Sequence, residues 1–206
     1  VLLFSLEMSK EQLVDRMLAS EAGVNSWNLR TGNLSDSDFE KIGHAMGSLS
    51  EAQMFIDDTP GLTVSDMRTK ARREAHKREL GLVIVDYLQL MSGGSKFRGD
   101  GNRVQEISEI SRGLKSIARE LNVPVIALSQ LSRSVESRSP QIPQLSDLRE
   151  SGAIEQDADM VLFIYRPEYY GFDVDEEGNN TKGTAEIIIA KHRNGAVGSV
   201  KLKYIG

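Results

Sequence analysis

The chain has 206 residues, a formal net charge of −5 at pH 7, 39% hydrophobic content and no Cys. That length and hydrophobic share suit one α/β domain with a substantial core, and the lack of Cys excludes disulfides and thiolate zinc sites, as fits a reducing cytoplasm. The acidic balance speaks against a general polyanion-binding surface while leaving room for a locally basic loop, and no apolar run approaches the roughly 18 residues of a membrane span; a soluble, intracellular protein without a membrane partner is expected.

Val1-Leu2-Leu3-Phe4-Ser5 opens the chain as a buried-type strand with no initiating Met or polar lead-in, which suggests a piece cut inside a domain. Ser9 with Gln12 forms a capping box, and Leu13, Met17 and Leu18 give the following helix an apolar face. Ser35 starts a second helix carrying Phe39, Ile42, Met46 and Leu49. Gln53 to Ile56 reads as a short strand ending at Asp57-Asp58, and Thr59-Pro60-Gly61 as a turn. A third helix from about Thr63 turns Val64, Met67, Ala71 and Ala75 inward and Arg68, Lys70, Arg72, Arg73, Lys77 and Arg78 outward. Glu74 and Glu79 interrupt that basic face, which favours a solvated surface over a nucleic-acid stripe.

Leu82-Val83-Ile84-Val85-Asp86 follows, an unbroken aliphatic run ending in one carboxylate, which reads as a strand buried on both faces. Two readings of its end stay open: a core strand that stops at an Asp, or the acid that holds Mg²⁺ through a water in a nucleotide-hydrolysing enzyme. Residues 92–101, rich in Gly and basic, form a loop too long to be a plain connection. Val104, Ile107, Ile110, Leu114, Ile117 and Leu121 recur at helical spacing, and a buried strand from Val123 to Leu128 ends in Ser129-Gln130. A second long loop holds Arg133, Arg138, Pro140, Pro143 and Arg149, and the closing third is strand-rich over Met160 to Tyr165, Thr184 to Lys191 and Val197 to Ile205. The Asp175 to Asn180 tip reads as a hairpin turn. Alternation of such strands with helices is the signature of a parallel sheet covered by helices.

Ligands of open α/β sheets bind beyond the carboxyl ends of the strands, so the residues that end the buried runs carry the most weight. Here they are Glu7, Asp86, Gln130 and the pair Lys191 and Arg193. A general base, a metal-coordinating acid, an amide that senses a phosphate and two cations make a phosphoryl-transfer set, because splitting a phosphoanhydride needs charge neutralisation and an oriented water. Each residue also has a plain structural reading. Glu7 would complement a helix dipole, Gln130 would cap a strand, and Lys191-His192-Arg193-Asn194-Gly195 would be a basic hairpin with Asn-Gly as its turn. His192 has no metal-ligand spacing around it.

Ser5-Leu6-Glu7-Met8-Ser9, Val83-Ile84-Val85-Asp86-Tyr87-Leu88-Gln89, Ala127-Leu128-Ser129-Gln130-Leu131-Ser132-Arg133, the segment from Asp147 to Asp159 and Lys191-His192-Arg193-Asn194-Gly195 resemble, in order and over nearly the whole chain, the replicative DnaB-type helicase family. The part resembled is the C-terminal RecA-like motor. The resemblance implies an α/β fold, a RecA-like P-loop NTPase core with a mostly parallel sheet flanked by helices and C-terminal antiparallel strands, as one domain over residues 1–206. It also implies a homohexameric ring that hydrolyses ATP with Mg²⁺ between subunits and moves 5′ to 3′ on single-stranded DNA, with primase and a helicase loader as primosome partners. In that pattern Glu7 matches the hydrolytic glutamate, Asp86 the Mg²⁺-associated acid and Gln130 the residue linking nucleotide state to DNA loops. Lys191 and Arg193 match the cations that reach a neighbour's γ-phosphate, and Arg149, Glu150 and Gly152 match the loop on the DNA backbone.

The chain departs from the family in one respect: G-x-x-x-x-G-K-[ST] occurs nowhere in it. The family places that phosphate loop just upstream of the strand matching Val1 to Ser5. Truncation, with the amino-terminal helical domain also missing, is the simplest expectation, and the fragment alone is then expected to be inactive. A non-catalytic interaction module on the same scaffold is the alternative. A recombinase or clock-type ATPase shares the strand-end chemistry but gives no reason for the Asp147 to Asp159 segment.

Overall fold

A computed structural model describes residues 1–94, 103–148, 152–174 and 178–205. Most of the glycine-rich loop, Arg149 and Glu150, and part of the Asp175 to Asn180 tip lie outside the described residues. The chain forms two compact units, Val1–Ser92 with Ile117–Leu128, and Gly93–Ser116 with Ser129–Gly206.

In the first unit, four short strands pair in parallel: β1 (Leu2–Ser5), β2 (Phe55–Asp57), β3 (Val83–Asp86) and β4 (Val125–Ala127), in the order β2-β1-β3-β4. Parallel neighbours need crossover connections. These are supplied by α1 (Lys10–Ala22), α2 (Ser26–Thr31) and α3 (Asp36–Glu51) after β1, by α4 (Val64–Lys77) after β2, and by α5 (Arg103–Leu121) before β4. The aliphatic runs of β1 and β3 become the core as expected, whereas the Val123 to Leu128 run, expected to be buried, leaves Ile126 50% and Leu128 44% exposed. Phe4, Val83 and Val85 are buried in the two central strands, and Met67 and Ala71 of α4 are buried with them.

Helix starts in this unit are written locally. Ser9, Ser35 and Thr63 each accept from the backbone N–H three residues on, and Gln12, Asp38 and Asp66 reach back to the cap N–H. Each box satisfies two otherwise orphaned donors, and losing a cap costs about 1 kcal/mol. Gly23, at φ +62°, closes α1 in the left-handed region that a side chain would strain.

One element was not anticipated and one expectation is corrected here. The short helix α2 carries no apolar period and escapes periodicity analysis, although Asn25 caps the Trp27 N–H at 2.8 Å and Gly32 closes it. In α3 the buried residues are Ile42 and Ala45, while Phe39 and Met46 are each 59% exposed. At 100° per residue, Phe39 and Met46 share a line on the helix, and the buried stripe lies to one side of it, on the side of Ala45. α3 packs against α1, which itself buries Ala19, so a small residue marks the inward face of both helices.

The basic face of α4 is solvated and also paired. Arg68 and Arg72 meet Glu120, Lys70 meets Asp57 at 2.6 Å, and Lys77 and Arg78 meet Glu74. The Arg72 hydrogen bond outweighs desolvation and holds the Glu120 carboxyl below the usual range.

The second unit is built on an antiparallel sheet, β5 (Met160–Tyr165), β6 (Thr184–His192) and β7 (Gly198–Lys203), in that order. Leu148, Val161 and Phe163 form its buried cluster, with Leu131, Leu145, Ala158, Ile188 and Ala190 packed against them. β5 contains no polar residue until Tyr165. Its other face therefore leaves Met160, Leu162 and Ile164 43%, 50% and 69% exposed. Leu162 pairs with Ile189, and Ile164 with Ile187, which in turn pairs with Val200. An apolar patch thus spans three strands. The short helix α6 (Gly152–Asp157) precedes β5.

Within this unit Arg138 grips Asp147 with both guanidinium nitrogens, at 3.0 and 2.8 Å, and the Gln144 N–H donates to the same carboxylate at 2.8 Å. Asp147 is 2% exposed. The Arg138 hydrogen bond is the main cause that holds its carboxyl below the ordinary carboxylate value. A lowered folded-state value contributes stability above the unfolded-state value, near pH 3.9, and loses it as pH falls through the folded one. Asp147→Asn is therefore expected to lower Tm by roughly 2–8 °C at pH 7. The gap between variant and wild type should close below about pH 4 in a thermal melt series. A gap that stays constant down to pH 2 would remove the charge from this account.

Candidate functional site

The first unit brings two of the expected strand-end acids together. β1 and β3 are neighbours, with Ser5 level with Asp86, and the Leu6 N–H donates to the Asp86 carbonyl at 2.7 Å. The chain then bends through Leu6 to Met8 before Ser9 starts α1. The buried Ser5 hydroxyl spans that bend by donating to the Met8 carbonyl at 2.7 Å, which leaves Glu7 exposed at its tip. Asp86 is half-buried.

β2 also ends in acids, but these are spoken for. Asp57 binds Lys70 at 2.8 and 2.6 Å and accepts the Thr59 N–H, and Asp58 accepts the Lys10 N–H at 2.9 Å. Burial pushes the Asp57 carboxyl up, and the Lys70 and Thr59 hydrogen bonds more than reverse that. Glu7 and Asp86 have no ion-pair partner among the described residues. Two such carboxylates at the carboxyl edge of a parallel sheet are the arrangement expected where an α/β enzyme meets its ligand.

No group of three or more His, Cys, Asp or Glu among the described residues is placed to hold a metal. Mg²⁺ does not require such a group, because it keeps several waters and uses one or two carboxylates plus substrate phosphates. Asp86 offers the single carboxylate such an ion takes, so the residues present fit it.

Gln130, Lys191 and Arg193 belong to the second unit. Gln130 is exposed, three residues past β4, and its carbonyl accepts from the Ser129 hydroxyl at 3.3 Å. Lys191 is the penultimate residue of β6, and Arg193 begins the turn to β7, so the hairpin reading holds. Both cations bind the end of α6. The Lys191 ammonium donates to the carbonyls of Glu155 and of Ala158, the latter at 2.9 Å. Arg193 donates to the Gln156 carbonyl at 3.0 Å and pairs with Asp159 at 3.1 Å. Last-turn carbonyls have no intrahelical donors and carry the negative end of the dipole, so two cations satisfy both needs. Asp159 also meets Lys115 of α5.

His192 has a local role in the turn. The Asn194 N–H donates to its Nδ1 at 3.3 Å, and a Cβ on Gly195 would sit 2.8 Å from its Nε2, so a larger residue there would have to push the imidazole aside. Of the loop residues, Gly152 is the first residue of α6.

Sequence reasoning missed Ser5 as the brace of the Glu7 bend and Asp147 as a buried anchor. A buried Ser before Leu-Glu and an Arg nine residues ahead of an Asp were the only available signals, and neither fixes a pairing.

The family profile of the DnaB-like helicase C terminal domain matches residues 1–206. The chain belongs to the DnaB-like helicase C-terminal domain family. It is 58% identical over 205 residues to the replicative DNA helicase DnaC of Bacillus subtilis (strain 168), and 57% identical over 205 residues to the replicative DNA helicase DnaB of Geobacillus stearothermophilus. Each alignment covers 100% of this chain and 44% of the relative, so the chain spans less than half the length of the curated relatives it matches. Among solved structures, a DnaB-like replicative helicase described with its interactions with primase superposes with a TM-score of 0.90 at 40% identity, covering 99% of this chain and 48% of that one. A solved ATPase domain matches with the same TM-score and identity, over 70% of its own length. The DnaB-like resemblance and the RecA-like architecture expected from the sequence are both borne out.

Proposed function

We propose that this domain is the motor of an ATP-dependent replicative DNA helicase, which works in the cytoplasm as a homohexameric ring and moves 5′ to 3′ on single-stranded DNA. The observation that carries the reading is the pair Glu7 and Asp86, without ion-pair partners among the described residues, one in the bend just past β1 and the other at the end of the neighbouring parallel strand β3, in a chain whose whole length matches the DnaB-like family. Glu7 orients the attacking water and takes its proton as the β–γ bond of ATP opens. Asp86 would help to hold Mg²⁺. That ion, when bound, neutralises charge on the phosphoryl oxygens. Gln130 senses the phosphate, and Lys191 and Arg193 serve a neighbouring subunit's γ-phosphate, Arg193 with its planar fork and Lys191 as a point charge. Primase and a loader are the proposed protein partners. No helix among the described residues is long and apolar enough to cross a membrane.

Arg149, Glu150 and Gly152 form the proposed contact with the DNA backbone, a sequence-independent grip suited to tracking. Arg149→Ala in the full-length protein is expected to weaken single-strand binding uniformly across sequences and to reduce the slope of log K against log salt by about 1. An unchanged slope in fluorescence titrations excludes a phosphate contact at this residue. The reading as a whole is tested by phosphate release from ATP with and without single-stranded DNA, and by unwinding of forks with a 5′ or a 3′ tail. Failure of the full-length protein to hydrolyse ATP on DNA would sink it in favour of a non-catalytic module.

A further inference from the structure

The open edge of β2 has no role in the proposed motor chemistry, and it has the form of a peptide site. Among the described residues β2 is the outermost strand of its sheet and pairs only with β1. The Phe55 N–H donates to the Val1 carbonyl at 2.9 Å, so by the alternation of a parallel ladder Phe55 and Asp57 face β1, and Ile56 turns its N–H and C=O to the open side. A cleft of about 450 Å³ runs along that edge between the start of α1 and the second half of α4. Val14, Met54, Phe55 and Ile56 give it apolar lining.

Its charge is opposite to that of the whole chain. Lys10, Lys70, Arg73, Lys77 and Arg78 line it, against only Asp57 and Glu74. Lys70 is neutralised by Asp57, and Glu74 is shared among Arg73, Lys77 and Arg78, which leaves the cleft with excess positive charge in a chain of net charge −5. The side chains of Lys10, Arg73 and Lys77 are 59%, 64% and 51% exposed, so they can reach a ligand.

We propose that this edge binds an acidic, extended peptide segment of a partner protein by strand addition. Its backbone would pair with Ile56, its apolar side chains would enter the cleft, and its carboxylates would meet Arg73 and Lys77. Nucleic acid fits less well. Single strands are held by stacking bases on aromatic faces, and the one ring in the cleft, Phe55, is already covered by the Arg78 guanidinium at 3.7 Å from its centroid. The unpaired strand edge and the apolar lining also match a peptide rather than a phosphate backbone.

The test is anisotropy of a labelled peptide alternating Glu and Val, titrated with the full chain beside a Lys/Val control peptide and an oligo-dT strand. Saturable binding of the acidic peptide alone is expected, weakening with salt. Ile56→Pro deletes the outward N–H while sparing the ladder to β1, as prolines on edge strands do. It should weaken binding about five- to tenfold, with circular dichroism and Tm unchanged. Arg73→Gln with Lys77→Gln should weaken it about tenfold or more and flatten the salt dependence, which keeps the question decidable if Ile56→Pro disturbs the fold. Equal binding of the Lys/Val peptide, indifference to both variants, or preferential binding of oligo-dT that the double variant abolishes would each overturn the proposal. So would self-association of the chain that the double variant reverses.

Discussion

Glu7→Gln is expected to leave ATP affinity nearly unchanged in the full-length protein while phosphate release falls by roughly 10²–10⁴-fold, the usual contribution of a positioned general base. The amide keeps the size of the side chain and its hydrogen bonding to a water, and it loses only the capacity to take the proton. Glu7 is exposed at the tip of a bend that Ser5 braces, so the substitution should shift stability by no more than about 0.5 kcal/mol. Nucleotide affinity measured beside single-turnover phosphate release separates binding from chemistry. Normal turnover would take Glu7 out of the base role, and Asp86 would then be the remaining acid without an ion-pair partner at this edge among the described residues.

Arg193→Ala should cost more, roughly 10³–10⁵-fold in DNA-stimulated turnover if the guanidinium serves a neighbour's phosphate as proposed, which is the range for an arginine supplied across an interface. Nucleotide binding should persist. Arg193→Lys should recover little, since a point charge cannot reproduce the two-pronged geometry. The contacts that Arg193 makes with Gln156 and Asp159 suggest a competing explanation, loss of support for the end of α6. Its side chain is 45% exposed, and exposed ion pairs contribute little to stability. A Tm close to wild type with turnover lost therefore points to the phosphate, whereas a large drop in Tm with turnover intact would assign Arg193 to the helix end alone.

The parallel sheet was legible because its strands are uninterrupted aliphatic runs between polar caps, and the starts of α1 and α4 because capping chemistry is local. The placement of Glu7 and Asp86 was legible for the same reason, each standing where a buried run stops. The inward face of α3 was misassigned because Phe39 and Met46 have the size of core residues, whereas the stripe that is buried includes the smaller Ala45. The hold of Lys191 and Arg193 on α6 was invisible. Its acceptors are mostly backbone carbonyls, which every residue possesses, so no pattern of side chains marks them. The same holds for Ser5, whose partner is the Met8 carbonyl.

The outward face of the β5–β6–β7 sheet has a bearing on how this domain behaves as a colloid. A chain of net charge −5 and isoelectric point near 5.3 carries a repulsive term between copies at neutral pH, against which any contact between them has to work. As the solution approaches that isoelectric point the repulsion vanishes, but Leu162, Ile164 and Val200 remain in contact with water on fully folded molecules. Mild acid is therefore expected to promote contact between native copies through this sheet before the Asp147 carboxylate protonates, and light scattering followed beside circular dichroism down the pH scale should show turbidity ahead of unfolding.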